Sequence, residues 1–261
     1  MTDGMETPRP EDAPMAAVVE TGDEHPTSGS LSEGVKAVAT VTIVTAVAAG
    51  LLGLVYGQTK GPIDEAQRRE VEDALRIVLP AFDNRPLDGI SGLVIEGARC
   101  APAMARQLVK DGPADAVLFT GKKGDVVTGR ALLTCTANGF GPPIDLLVAA
   151  RPDGTVSGAY VLAHQETPGL GAKAADGQAD WPAWREECTA DKGFCKGTDP
   201  FLKQFANRAS TAFRMKVRKD GGEVDAITAS TITSRAVADA IADSLARIAT
   251  ADGAAAPGGA P

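Results

Sequence analysis

Aromatic side chains and histidines are scarce in this chain of 261 residues. Phe, Trp and Tyr together make up 4% of the sequence, and only two histidines are present. So few rings cannot build the stacking platform that unpaired nucleic-acid bases require. The formal charge is −8, with 34 acidic against 26 basic residues, which also argues against nucleic-acid binding. The length allows one domain, or one domain with appendages.

Cysteines are few as well, and none of the four stands in a C-x-x-C pair. Without that spacing, and with two histidines, the sequence favours neither a zinc site nor an iron–sulfur cluster. Cys188 and Cys195 lie in a segment rich in Glu, Asp, Lys and Gly, which is typical of a loop. In an oxidising compartment we expect them to form a disulfide; two free thiols are the alternative. Spacing alone does not reveal whether Cys100 and Cys135 pair.

Motifs of several enzyme classes are also missing. No G-x-S-x-G accompanies His164, the one histidine outside the N-terminal tail, so a serine hydrolase triad is not favoured. The sequence contains no Walker loop, and no G-x-G-x-x-G follows a predicted strand. The chain is therefore not expected to bind NAD itself.

The N-terminal part divides into an acidic tail and an apolar run. Residues 1–33 hold eight acidic residues and one basic residue without a hydrophobic period, and we expect them to be disordered. Residues 37–56 carry no charge over 20 positions, enough for a helix to cross the roughly 30 Å hydrocarbon layer. We therefore predict a transmembrane helix at 34–57. A buried core helix and a cleaved signal peptide are the alternatives, but the run is long for a signal peptide and an acidic segment precedes it.

The rest of the chain predicts a single mixed α+β domain at 58–250, followed by a flexible tail at 251–261. Gly61-Pro62 is expected to end the first helix, and an amphipathic helix is expected at 63–79. A short helix is predicted at 201–209 and an apolar-striped one at 234–250. Short apolar runs between turn residues predict strands at Ala116–Thr120, Ala131–Cys135, Ile144–Ala150, Val156–Ala163, Ala212–Val217 and Val224–Thr228.

Two segments of this domain have a composition suited to a ligand. Residues 164–173 read HQETPGLGAK, where glycines allow the backbone to approach a flat molecule closely; a plain surface turn is the alternative. Residues 225–234 read DAITASTITS, directly before the helical pattern that starts at Arg235. A helix start presents unpaired N–H groups and the positive end of the dipole, which suit a phosphate. The alternative, an N-cap at Thr233 or Ser234, is compatible with this use.

These segments resemble two motifs of the Rnf/Nqr flavoproteins, E-T-P-G-L-G and the flavinylation motif D-x-x-[S/T]-G-A-T, in the same order. The resemblance runs from the membrane helix to about Ile248. It implies an FMN-binding domain in which Thr231 carries FMN through a phosphoester bond, with Arg235 as a possible contact to the phosphate. Ala229 stands where the family has Gly, which weakens any claim that the turn needs a positive φ there, and Ser230 stands where it has Ala, adding a second hydroxyl.

The resemblance also assigns roles to the other motif residues. Thr228 and Asp225 belong to the flavinylation motif, with Asp225 read by a flavin transferase during maturation or serving as an ordinary turn residue. Lys173 is expected to reach the phosphate or a ring oxygen. The residues expected to shape the pocket of the flavin ring are Glu166, Thr167, Gly169, Leu170 and Gly171.

In function, the resemblance favours the Rnf branch, and within it the one-helix flavin carrier known as the G subunit. Rnf complexes pass electrons between ferredoxin and NAD and couple the flow to ion movement. The expected partners are the membrane and cluster-binding subunits of that complex. The C subunit of the sodium-translocating NADH:quinone reductase shares both motifs and is the nearest alternative; a membrane-anchored scaffold without redox activity is a third.

The expected location is the bacterial inner membrane, with the domain on the extracytoplasmic side. The resemblance and the possible disulfide both favour this arrangement. A count of Lys and Arg around the apolar run favours the reverse, but a large domain can be translocated despite a few charges.

Overall fold

The computed structural model describes residues 31–95, 98–109, 114–141 and 143–251. The chain divides into two compact units, Met1–Thr59 and Lys60–Pro261. The disordered tail expected at 1–33 lies almost entirely outside the described residues, as does the tail expected at 251–261.

Helix α1 is the long N-terminal helix, Leu31–Val78. It contains the one segment of the described chain that is long and apolar enough to cross a membrane. None of that segment is buried within the protein, which contradicts the alternative of a core helix. The hydroxyls of Thr40, Thr42 and Thr45 donate to carbonyls four residues earlier at 2.7–2.9 Å, so these polar side chains are satisfied within the helix.

The predicted helix break at Gly61-Pro62 is wrong, because Pro62 lies inside α1. A proline removes one backbone hydrogen bond and costs about 3 kcal/mol in a helix interior. Here the residues on both sides favour helix over many turns, so one lost bond does not end it.

The domain is built on a five-stranded antiparallel sheet with strand order β1-β2-β3-β4-β5. Four of its strands agree with the sequence prediction. β1 was missed because a strand of three residues is too short to show a recognisable apolar pattern. The strands are β1 Ser91–Leu93, β2 Ala116–Lys123, β3 Val126–Thr136, β4 Ile144–Ala150 and β5 Val156–Ala163.

Both faces of this sheet are covered, and its side chains alternate between two apolar layers. One layer contains Leu132 and Leu146 and packs against α4, Thr231–Ala251, and α3, Trp181–Glu187. The other contains Leu133 and Leu147 and packs against the last two turns of α1 and against α2, Ala105–Leu108. The fold is therefore α+β, as the sequence predicted.

Two predicted strands are wrong. Residues 212–217 and 224–228 are irregular, and a single parallel bridge joins Val217 to Val224. Their apolar side chains, including Phe213 and Ile227, are buried in the core without strand pairing. The helix predicted at 201–209 is a shorter 3₁₀ helix, Phe201–Phe205.

Candidate functional site

The turn before α4 is held by the side chain of Ser234. Its Oγ accepts the N–H of Ile227 at 2.9 Å and donates to the carbonyl of Ser230 at 2.9 Å. The N–H of Ser230 donates back to the carbonyl of Ile227 at 2.9 Å. These bonds close the turn, so the hydroxyl-rich run leads directly into the helix.

Helix α4 begins at Thr231, three residues before the predicted start. The hydroxyls expected to cap it therefore lie inside its first turn, where Thr233 and Ser234 are both buried. Ala in place of Gly weakens the case for a positive φ at this turn, yet the φ of Ala229 is 61°. Ala229 adopts the left-handed conformation that glycine adopts freely, at a cost of about 1–2 kcal/mol.

The carboxylate of Glu166 joins three segments around this turn. One oxygen accepts the Thr233 hydroxyl at 2.5 Å, and the other accepts the N–H of Gly141 at 2.9 Å. Glu166 is buried, and a Cβ at Gly139 or Gly171 would clash with its oxygens. The carboxylate thus holds the loops at 139–141 and 166–171 against the start of α4.

A cavity of about 320 Å³ lies between these three segments. Its walls are largely apolar and include Phe140, Leu170 and Ile232, which are among the most exposed large apolar side chains of the domain. Sequence reasoning missed Phe140, which is 70% exposed. One signal could have found it: an aromatic ring between two glycines, in a chain where aromatics are rare, has no evident role in the core.

The structure brings six of the predicted site residues to this cavity. They are Glu166, Thr167, Leu170, Gly171, Ser230 and Thr231. Lys173 does not line it and lies exposed on the 3₁₀ helix Gly171–Ala175. Gly169 and Thr228 are exposed nearby, and Gly169 has a φ of 75°, which explains the glycine at that position.

Asp225 lies away from the cavity and is already paired. Its carboxylate accepts a hydrogen bond from Arg218 at 2.5 Å and another from the N–H of Gly197 at 3.3 Å. The bond from Arg218 lowers the pKa of Asp225 below its usual value. Arg235 is similarly occupied, because its guanidinium binds both oxygens of Asp220.

The three hydroxyls of the motif differ in exposure. Ser230 is 7% exposed, Thr231 is half-buried at the edge of the cavity, and Thr228 is exposed outside it. Thr231 is therefore the only one of the three that both borders the cavity and remains accessible. Among the described residues, no cluster of three or more metal-binding side chains occurs.

The predicted disulfide between Cys188 and Cys195 is present, and Cys100 and Cys135 form a second one. The first links the end of α3 to the following loop. The second links β3 to the segment that precedes α2.

Several known proteins resemble this chain in sequence. A family model described as the FMN-binding domain matches residues 139–246, from the loop of Phe140 into α4. The chain is 33% identical, over 201 residues and 75% of each chain, to the G subunit of the ion-translocating oxidoreductase complex of Cereibacter sphaeroides. The corresponding subunit of Vibrio cholerae is 30% identical, over 77% of this chain and 83% of the relative. That of Cronobacter sakazakii is also 30% identical, over 77% and 84%. The chain therefore belongs to the family of G subunits of ion-translocating oxidoreductase complexes.

Proposed function

We propose that this protein is a membrane-anchored electron carrier with FMN attached to the Thr231 hydroxyl through a phosphoester bond. The observation that carries the proposal is an accessible hydroxyl at the first residue of α4, on the edge of an apolar cavity. FMN accepts and releases electrons, and the protein supplies the binding and orientation.

The residues around Thr231 fit both ends of such a group. Phe140, Leu170 and Ile232 offer apolar surface to a flavin ring. The first N–H groups of α4 have no partner within the helix and suit a phosphate. The side chain of Glu166 already occupies the inner side of this helix end through its contact with Thr233, so the phosphate belongs on the outer side, next to Thr231.

The choice of Thr231 over Ser230 rests on access. A flavin transferase must bring FMN to the hydroxyl it modifies, and Ser230 is buried in the turn. Attachment at Ser230 would require the turn held by Ser234 to open. Thr231 needs no such change.

Within its complex, the protein would relay electrons along an Rnf-type path between ferredoxin and NAD, without binding either end substrate. The names of its relatives support this branch over the sodium-translocating NADH:quinone reductase. The complexes differ in their partners, so copurification with cluster-binding subunits would support the Rnf branch. Copurification with an NADH- and FAD-binding subunit and a quinone-reducing partner would contradict it.

The domain is proposed to lie on the extracytoplasmic side of the inner membrane. Two disulfides within the described chain support an oxidising compartment. Protease added outside spheroplasts should then digest the domain while a cytoplasmic marker survives, and complete protection of the domain would contradict this placement.

Flavin fluorescence on a denaturing gel tests the attachment. The protein is produced with a flavin transferase, and wild type should give a fluorescent band because the bond survives unfolding. Thr231→Ala should lose the band, while the matched variant Ser230→Ala should keep it. A band that persists in Thr231→Ala but disappears in Ser230→Ala would move the attachment by one residue. A wild-type protein without fluorescence would favour the scaffold alternative.

A further inference from the structure

The disulfide between Cys100 and Cys135 lies in the wall of a second cavity. Cys135 lies on β3, and Cys100 lies on the segment between β1 and α2. Both are half-buried, and both line a cavity of about 390 Å³ that is separate from the candidate flavin site. A small thiol compound could therefore reach this bond without unfolding of the domain.

A buried carboxyl group lies opposite Cys135 on the neighbouring strand. Asp145 on β4 is directly opposite Cys135 in the antiparallel register, which puts their Cβ atoms about 4.5–5.5 Å apart. Asp145 is 7% exposed. One of its oxygens accepts the N–H of Ala103 at 3.3 Å, and the other has no hydrogen-bond partner among the described residues. Burial raises the pKa of this carboxyl, which favours its protonated form.

The second disulfide of the chain provides an internal comparison. Cys188 is completely buried in the apolar core, at the end of α3. Cys195 borders a cavity of about 200 Å³, but reduction would leave the Cys188 thiolate among apolar side chains, where the charged form is disfavoured. The two disulfides thus differ in the environment of the leaving sulfur, which is that of Cys135 in one bond and that of Cys188 in the other.

We propose that Cys100–Cys135 is a thiol-exchange site that a small dithiol reduces in the folded protein, with Asp145 as the proton donor to Cys135. A thiolate of the dithiol attacks the sulfur of Cys100, and Cys135 leaves as a thiolate that takes the proton of Asp145. The second thiol of the reagent then attacks the mixed disulfide and releases Cys100. The dithiol is oxidised to its disulfide, the protein gains two thiols, and the protons lost by the reagent restore Asp145 and Cys100.

The charges around this cavity set the pH dependence of the exchange. Asp115 and Arg99 lie on the side of Cys100, and α4 contributes Asp239 and the ion-paired Asp243 and Arg247. Burial raises the pKa of Asp239 as well. Asp239 is therefore the group whose titration must be separated from that of Asp145.

Redox titration of the full-length protein in detergent tests the proposal. The protein is equilibrated with mixtures of reduced and oxidised dithiothreitol, free thiols are alkylated, and each cysteine peptide is quantified by mass spectrometry. Cys100 and Cys135 should become alkylated under less reducing conditions than Cys188 and Cys195, while circular dichroism remains native. Reduction of both bonds together, reduction of Cys188–Cys195 first, or reduction only with loss of the native spectrum would overturn it.

The rate of exchange tests the role of Asp145. In wild type, one component of the rate of reduction by dithiothreitol should require protonated Asp145. This component should fall as pH rises, so that the rate increases less than the thiolate concentration of the reagent does. Asp145→Asn, which keeps an acceptor for Ala103, should lose that component, and Asp239→Asn should keep it. If Asp145→Asn has the same pH profile as wild type, Asp145 does not take part in the reaction. If the component is lost in Asp239→Asn, it belongs to Asp239.

Discussion

Ala229 has a backbone conformation that glycine adopts without strain. Replacing Ala229 by Gly removes the penalty at φ 61°, but it also increases the freedom of the unfolded chain. We expect a net gain of about 0.5–1 kcal/mol in the free energy of unfolding, measured by urea denaturation.

The same substitution in a helix provides the control for Ala229. Ala246 is exposed in the interior of α4, and Ala246→Gly should lower the free energy of unfolding by about 1 kcal/mol. A loss of stability in both variants would show that the turn at Ala229 carries no strain.

Asp145 should make stability depend on pH. Its pKa in the folded protein is raised above the unfolded value of 3.8, so the folded state holds a proton that the unfolded state releases. Stability contributed by this group is complete below about 3.8 and is lost as pH rises through the folded pKa.

Asp145→Asn does not titrate and should therefore gain stability relative to wild type as pH rises from about 4 to about 7. Urea denaturation at both values measures the change, with Asp153→Asn as the control. Partial burial alone would raise the pKa of Asp153, but its hydrogen bonds with Thr155 outweigh burial and lower it. This contribution is present above the unfolded value of 3.8, so Asp153→Asn should keep a nearly constant difference from wild type over the same range. A constant difference between Asp145→Asn and wild type would contradict the prediction.

Single residues of the site were predictable where a local motif names them and unpredictable where distant segments meet. Thr231 and the loop of Leu170 follow from contiguous sequence. The contact of Glu166 with Gly141 and Thr233 joins positions 25 and 67 residues away from it, which no local pattern reveals. The two glycines beside Phe140 are a local signal of an exposed ring, but only the fold brings its loop to the start of α4.

At the scale of elements, the start of α4 depends on the hydroxyl of Ser234. Ser234→Ala would leave the buried N–H of Ile227 without its partner, at a cost of about 1–3 kcal/mol in the free energy of unfolding. Ser244→Ala is the matched control: that buried hydroxyl only donates to the Ala240 carbonyl inside the helix. Its loss leaves no backbone donor unpaired, so a smaller decrease is expected. Equal effects in thermal denaturation would show that the turn does not depend on Ser234.

Elements with a strong period were predicted correctly, and elements defined by tertiary packing were not. β4 and β5 stand out because continuous apolar runs are bounded by turn residues. The run at 224–228 also contains several apolar residues, but their side chains fill the core beneath α4 without a neighbouring strand. The composition of such a run indicates that its side chains are buried. It does not indicate whether a neighbouring strand is present to pair with it.

At the scale of the whole molecule, the second unit should fold without the apolar run. A chain that begins at Lys60 retains the apolar side chains at the end of α1 that complete the core. A chain that begins at Pro80 loses Val71, Ala74, Leu75, Val78 and Leu79, all nearly inaccessible to solvent. Each large apolar side chain contributes about 1.5–3 kcal/mol, and domains are stable by only about 5–15 kcal/mol.

The two truncations therefore have opposite expected outcomes. The chain from Lys60 should be soluble and unfold cooperatively by circular dichroism. The chain from Pro80 should aggregate or lack a cooperative transition. Cooperative unfolding of the shorter chain would mean that the last turns of α1 are dispensable for the core.

The end of α1 meets β5 at Gly158 with almost no space between the two backbones. A Cβ there would clash with the Cα of Val78, and the Val78 carbonyl accepts hydrogen bonds from Ser157 and Arg185. Any displacement of this helix end must therefore carry β5 with it. Since β5 leads directly into the loop of Glu166, a shift of this helix end would reach that loop through β5 alone, whereas β1 lies at the opposite edge of the sheet.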